Sequence, residues 1–198
     1  MRRAAIALAI ACSLVPLVPG AAAAGVACQH TIAVTEYAFT PAAKTTAVTD
    51  GVGVCWQNDG ELTHTATSNN GFFDTGDIAP AMSVGAWFYG SGTYAYHCTH
   101  HAEMMGTIGI RPTLSDGSIT LGQSVTLKVG STIVKGWTWD VQRKRNDGAW
   151  VTIKDDTGLP SFSVQPGRAG RYWYRARTIS GGNRSGWSPT RKLVVSAP

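Results

Sequence analysis

Short runs of alternating apolar and polar residues, each closed by Gly, Pro, Asn or Asp, constrain this chain more than any other feature. A period of two puts every second side chain on one face of a strand, whereas an amphipathic helix needs a period near 3.6. "HTIAVTEYAFTP" reads as a strand stopped by Pro41. "TTAVTDGVGVCWQNDG" reads as two strands about an Asp50-Gly51 turn, the second ending at Asn58-Asp59-Gly60. "THTATS" is a short β-branched run closed by "NNG", and "GAWFYGSGTYAYHC" gives two strands about Gly90-Ser91-Gly92. Nothing in this half shows helical spacing. Beyond Thr113, "QSVTLKV", "GWTWDVQRKR", "GAWVTIK", "SFSVQP", "GRYWYRARTI" and "RKLVVS" also read as β, with Asn146-Asp147-Gly148 a hairpin turn. The expectation is an all-β chain of packed sheets.

Charge divides these strands into two groups. Gly25 to Pro112 carries two basic and seven acidic residues, a net of −5, while Thr113 to Pro198 carries thirteen basic and five acidic, a net of +8. All five His lie in the first group and five of the seven Trp in the second. Such a shift predicts one module over 25–112 and a second, basic module over 113–198, joined at Pro112. The N-terminus is a third region. Arg2 and Arg3 precede an apolar run from Ala4 to Val18 and small residues through Ala24, the layout of an export signal peptide over 1–24. Its apolar core is too short for a membrane span. Export places the remainder outside the cytoplasm, secreted or at the cell envelope, where disulfides persist. Cys28 raises lipid anchoring as an alternative, although Gly25 stands where a lipobox requires Leu.

Cys28, Cys55 and Cys98 follow the signal, so two can pair and the third needs another use. Cys98 closes "TYAYHC", in which Tyr94, Tyr96 and Cys98 share one face while Ala95 and His97 share the other. His101 follows at +3 and Met104 at +6. Upstream, His64 opens a strand that can lie beside the one ending in Cys98. One thiolate, two imidazoles and a thioether are the ligand set of a blue-copper site. Structural zinc takes four strong nitrogen or sulfur ligands, and calcium and magnesium take oxygen. Taken singly, a strand-end Cys is a buried thiol, a His a surface group and a Met a packing residue. Taken together they indicate a metal site. Met105 competes with Met104 for the axial place and His100 with His101, and spacing favours Met104 and His101.

At these residues the sequence resembles the cupredoxin family, the plastocyanin/amicyanin-like branch in particular, over about Gly25 to Arg111. The likeness lies in "VCWQND" before the first His, "HTATS" at it, "GFFDTGDIAP" after it and "GTYAYHCTHHAEMMGTI" at the loop, whose C-x2-H-x2-M spacing is that of short-loop members. The resemblance implies a Greek-key β-sandwich binding one copper ion through His64, Cys98, His101 and Met104. It also implies Cu(I)/Cu(II) cycling and single-electron transport to a redox partner protein. Thr63 and Thr65 depart from the Pro and Asn common in the family, which implies an altered potential with the site retained. Cys28 opens the first strand and Cys55 lies in a strand expected beside it. A disulfide is expected between them, two buried thiols being the alternative.

His97 precedes Cys98, as in copper enzymes that bind a second centre there. The chain has no H-x-H pair, however, and His30, His97 and His100 are too few for a trinuclear cluster. No Ser-His-Asp, paired-carboxylate or phosphate-loop pattern stands out, so the expectation is a monomeric non-enzyme. Copper sequestration or delivery is the alternative function, in which the metal moves and the electron does not. Residues 113–198 resemble an immunoglobulin or fibronectin type III-like sandwich, chiefly in "YWYRARTISGGNRSGWSP". Arg143, Lys144, Arg145, Arg168, Arg171, Arg175, Arg177, Arg184, Arg191 and Lys192 can form a basic face for an anionic cell-envelope polymer, a membrane surface or an acidic partner. Nucleic acid is not expected outside the cell. The interleaved Trp and Arg read equally as aromatic–cation stacking.

Overall fold

The computed structural model describes residues 27–132 and 134–198, so the expected signal peptide lies outside the described residues. Among the described residues the regular elements are seventeen β-strands, and no helix is long and apolar enough to cross a membrane. The all-β expectation holds, and the strands form two sandwiches.

In the first, the strands are β1 (His30–Thr35), β2 (Ala38–Thr40), β3 (Ala43–Ala47), β4 (Val52–Asn58), β5 (Thr67–Ser68), β6 (Ser83–Phe88), β7 (Gly92–His97) and β8 (Met105–Arg111). They make two four-stranded sheets, ordered β2-β1-β4-β6 and β3-β8-β7-β5. Alternation decides which side chains meet between them. Ile32, Val34, Val54 and Trp56 come from one sheet and Tyr94, Tyr96, Ile108 and Ile110 from the other, all buried in one core. β1 and β4 run parallel with Thr31 opposite Cys55. Cys28, just ahead of β1, forms a disulfide with Cys55 of β4. β6 and β7 flank the Gly90-Ser91-Gly92 segment but belong to opposite sheets, so this link crosses the sandwich.

The second sandwich contains β9 (Thr113–Leu114), β10 (Ser118–Thr120), β11 (Val125–Lys128), β12 (Thr138–Arg145), β13 (Val151–Thr157), β14 (Ser161–Val164), β15 (Gly170–Ser180), β16 (Asn183–Arg184) and β17 (Arg191–Ser196). One sheet is ordered β14-β11-β9 and the other β10-β17-β15-β12-β13, with β16 paired to β15. Trp139, Val141, Tyr172, Tyr174, Ala176 and Leu193 pack there against Val125, Leu127 and Val129.

Pro112 alone separates β8 from β9, and the two sandwiches close on each other around it. The Tyr94 hydroxyl donates to the Gly90 carbonyl at 2.7 Å and lies 3.0 Å from the Thr178 hydroxyl, which donates to the Ser91 carbonyl at 2.9 Å. Phe72 packs edge-on against both Tyr94 and Trp137. A Cβ at Gly90 would collide with Thr178 and Trp139, so the close approach requires glycine there. β7 begins at this seam and ends beside Cys98, a run of six residues or roughly 20 Å. The second sandwich therefore sits at the end of the first that lies away from Cys98.

Candidate metal centre

Cys98 lies one residue past β7 and is 1% exposed. It is a free thiol, as Cys28 and Cys55 are paired. β7 aims it inward, because the face holding Tyr94 and Tyr96 is the core face. His64 reaches the same point from the opposite side. Its backbone is locked to Ile78 by reciprocal hydrogen bonds of 3.2 and 2.7 Å. The buried Asn58 amide holds the flanking chain by donating to the Leu62 and Ile78 carbonyls at 2.7 and 2.8 Å. His101 arrives on a tight loop. The Cys98 amide donates to the Met104 carbonyl and the Met104 amide to the His101 carbonyl, both at 3.1 Å.

These constraints bring three donor atoms together. Cys98 Sγ lies 3.8 Å from His64 Nδ1 and 3.6 Å from His101 Nδ1, and the two nitrogens are 3.1 Å apart. A point equidistant from all three lies about 2.0 Å from each, the length of an imidazole nitrogen bond to a first-row metal. Burial, and after it the neighbouring His101, hold the His64 imidazole below its ordinary pKa. A neutral ring is what metal ligation requires. With Nδ1 turned to this point, His64 Nε2 is buried without a hydrogen-bond partner among the described residues. The group can hold a metal ion, and its donors, one thiol and two imidazoles, fit a soft or borderline one.

The competing candidates separate by burial and pairing. Met104 is 1% exposed and packs in the same core as Cys98, whereas Met105 is 66% exposed. His100 turns outward to Asp77 at 2.8 Å. His97 projects from the opposite face of β7, its Nδ1 2.7 Å from the side-chain Oδ1 of Asn69. His30, on β1, is not among the converging groups.

Thr65, Glu36 and Tyr37 also border the site. The Thr65 amide donates to Cys98 Sγ at 3.3 Å, so the backbone supplies this bond even with Thr at the position. The Thr65 hydroxyl accepts from the Thr99 amide at 2.9 Å, tying the His64 segment to the Cys98 loop. In the β1–β2 turn, the Glu36 carboxylate accepts from the Glu61 amide and Tyr37 stands edge-on to His101, ring centroids 5.4 Å apart. The sequence departs from the family pattern at Thr65 but keeps a backbone N–H available to the Cys98 sulfur, as the structure has it, whereas Glu36 and Tyr37 carry no signal, because turn residues reach a site only through the sheet pairing.

No protein-family model and no curated protein matches the chain. Among solved structures, it is similar to a proline-to-glycine variant of amicyanin in its reduced Cu(I) form at pH 4. The identity is 20% and the TM-score 0.38, covering 46% of this chain and 86% of that one. An oxidized methionine-to-lysine variant of amicyanin is similar at 19% identity and a TM-score of 0.38, with coverage of 46% and 86%. A purple cupredoxin from Nitrosopumilus maritimus is similar at 21% identity and a TM-score of 0.37, covering 40% of this chain and 97% of that one.

Proposed function

We propose that this chain is an exported blue-copper protein that carries single electrons and catalyses no reaction of its own. The observation that carries the reading is the convergence of His64 Nδ1, Cys98 Sγ and His101 Nδ1 on one point, on rigid backbone and mostly out of water. His64, Cys98 and His101 would hold copper in a trigonal set, with Met104 as the weak axial ligand. Bound copper would supply a one-electron Cu(I)/Cu(II) couple. The chain's own part is to keep the donors still, so that little reorganises when the charge changes. The Thr65 amide hydrogen bond to Sγ disperses thiolate charge, and the buried Asn58 amide keeps the His64 segment in place. His101 is the ligand nearest solvent, and Tyr37 beside it is 59% exposed, a surface on which a redox partner protein can dock. The chain acts as a monomer at the cell envelope or outside the cell, its second sandwich a fibronectin type III-like module.

Exposed Met105, next in the chain to Met104, favours a second reading, copper sequestration or delivery, because a thioether at the surface can hand Cu(I) to an acceptor. The deciding experiment measures copper stoichiometry and the visible and EPR spectra of the protein beside Cys98→Ser. One copper with an intense thiolate-to-copper band, lost in the variant and retained through redox cycling, is the expected result. A colourless protein, or one that surrenders copper to an apo-acceptor, overturns the carrier reading. A second, non-blue copper per chain would make it an enzyme.

A further inference from the structure

The positive charge of the second sandwich is concentrated on one sheet. In β15, Tyr172, Tyr174 and Ala176 turn into the core, so Arg171, Trp173, Arg175 and Arg177 turn outward. Pairing sets Lys144 of β12 and Lys192 of β17 on either side of Trp173. Lys144 Nζ lies 5.4 Å from the ring centre of Trp150 and 5.3 Å from that of Trp173. The Arg175 guanidinium is 4.2 Å from Trp150 and 4.8 Å from Trp187, and that of Arg177 is 4.7 Å from Trp187. The outcome is an alternating row: Trp173, Lys144, Trp150, Arg175, Trp187, Arg177.

The forks of this row are preset. Arg175 donates from Nε and Nη2 to the side-chain Oε1 of Gln142 at 3.0 and 2.7 Å. Arg177 donates from Nε to Asp140 at 2.7 Å, and Arg184 reaches the same carboxylate at 3.2 Å. Asp140 is the buried acid at one end of the row. Asp155 and Asp156 flank it on β13, and Asp147 lies in the turn at the other end. Between them, Lys144, Arg171, Arg175 and Lys192 have no ion-pair partner among the described residues. Outward residues two apart on a strand stand roughly 6.8 Å from each other, so Arg175 and Arg177 are one such step apart on β15 and Arg171 and Arg175 two, with Lys144 and Lys192 flanking Trp173 in the longer gap.

We propose that this sheet face binds a linear polyanion whose charges are phosphodiesters, a polyol phosphate chain laid along β15. The Arg175 and Arg177 forks are taken up by Gln142 and Asp140 and brace the row, while the Arg171 guanidinium can meet two phosphate oxygens and the unpaired cations supply the complementary charge. Trp150 and Trp187 each have cations on two sides, so their rings are not open platforms for stacking bases or anchors for a lipid interface. The face does not depend on the metal site.

The test titrates the protein with a purified glycerol-phosphate polymer, following tryptophan fluorescence at several salt concentrations, beside the double variant Arg171→Gln, Lys192→Gln. The polymer is expected to bind, with log K falling linearly in log salt. The variant should bind roughly tenfold more weakly, with a slope smaller by about two, one for each cation removed. Its thermal unfolding should be unchanged, which keeps lost binding distinct from lost folding. Absence of binding, or equal affinity in the variant, overturns the proposal and leaves the row as internal bracing. Tighter binding to phosphatidylglycerol vesicles, to polygalacturonate or to a single-stranded oligonucleotide overturns it in favour of that partner.

Discussion

Replacing Thr65 by Val tests whether the site is held together by one hydroxyl. Thr65 is 4% exposed, and its oxygen accepts from the Thr99 amide at 2.9 Å while touching the Thr67 and Thr99 hydroxyls at 3.1 and 3.2 Å. Valine keeps the volume and removes the acceptor. A neutral hydrogen bond contributes about 1 kcal/mol net, and a stranded buried donor costs about 1 to 3 kcal/mol. Thr99 is exposed, so water can reach part of the freed amide, which places the loss near the lower end, about 1 to 1.5 kcal/mol. With a urea m-value of about 2 kcal/mol/M, the midpoint should fall by roughly 0.5 to 0.8 M with m unchanged. Thr65→Ser restores the oxygen and should recover most of that. The backbone amide bond to Cys98 Sγ survives both changes, so the thiol stays in place and only the join between the two ligand segments loosens. A midpoint unmoved in Thr65→Val, or a serine variant as weak as the valine one, would refute the reasoning.

Tyr94→Phe removes the hydroxyl that joins Gly90 to Thr178 across the seam and should cost about 1 to 2 kcal/mol. Calorimetry should register that as a Tm lower by several degrees, and an unchanged Tm would mean that the hydroxyl does not hold the seam closed in solution. Met104→Leu should alter the copper spectrum and potential whereas Met105→Leu should not, a contrast read by absorption and voltammetry; equal effects would count against Met104 as the buried ligand. Burial acts to raise the Asp140 carboxyl, but the Asp156 amide and Arg177 outweigh it and hold the group below its ordinary value. A lowered folded-state pKa means that the unfolded chain binds more protons. The stability from Asp140 is therefore present above its ordinary value near 3.8 and is lost as pH falls through the lower folded value. Urea midpoints measured from pH 6 to pH 2 should show this dependence reduced in Asp140→Asn, and parallel curves would remove Asp140 as its source.

Much of the strand content was legible because alternation is a local signal. The outward and inward sides of "TYAYHC" and of "GRYWYRARTI" came from spacing alone, as did the Asn146-Asp147-Gly148 turn between β12 and β13. The convergence of Cys98 and His101 was legible for a different reason: they lie within one short loop, so their proximity is covalent. His64 was reachable only as the start of a strand able to lie beside β7; in the structure it lies three residues before β5, bridged to Ile78, and the β5–β7 pairing brings its segment beside Cys98. Tyr37 and Glu36 were not reachable at all, since they come to the loops of the candidate site through the pairing of β1 with β4.

The same division separates what chain chemistry determined from what tertiary structure decided. Period-two patterning specifies which face of a strand is buried, and the residue types specify which metals a site can suit. Neither specifies a neighbour. The crossing of "GAWFYGSGTYAYHC" from one sheet to the other, the exposure of Met105 and the stacking of Lys144, Arg175 and Arg177 against Trp depend on contacts distant in sequence. Only packing, in which buried polar groups compete for partners and rings for surfaces, chooses among the strand orders that the alternation allows.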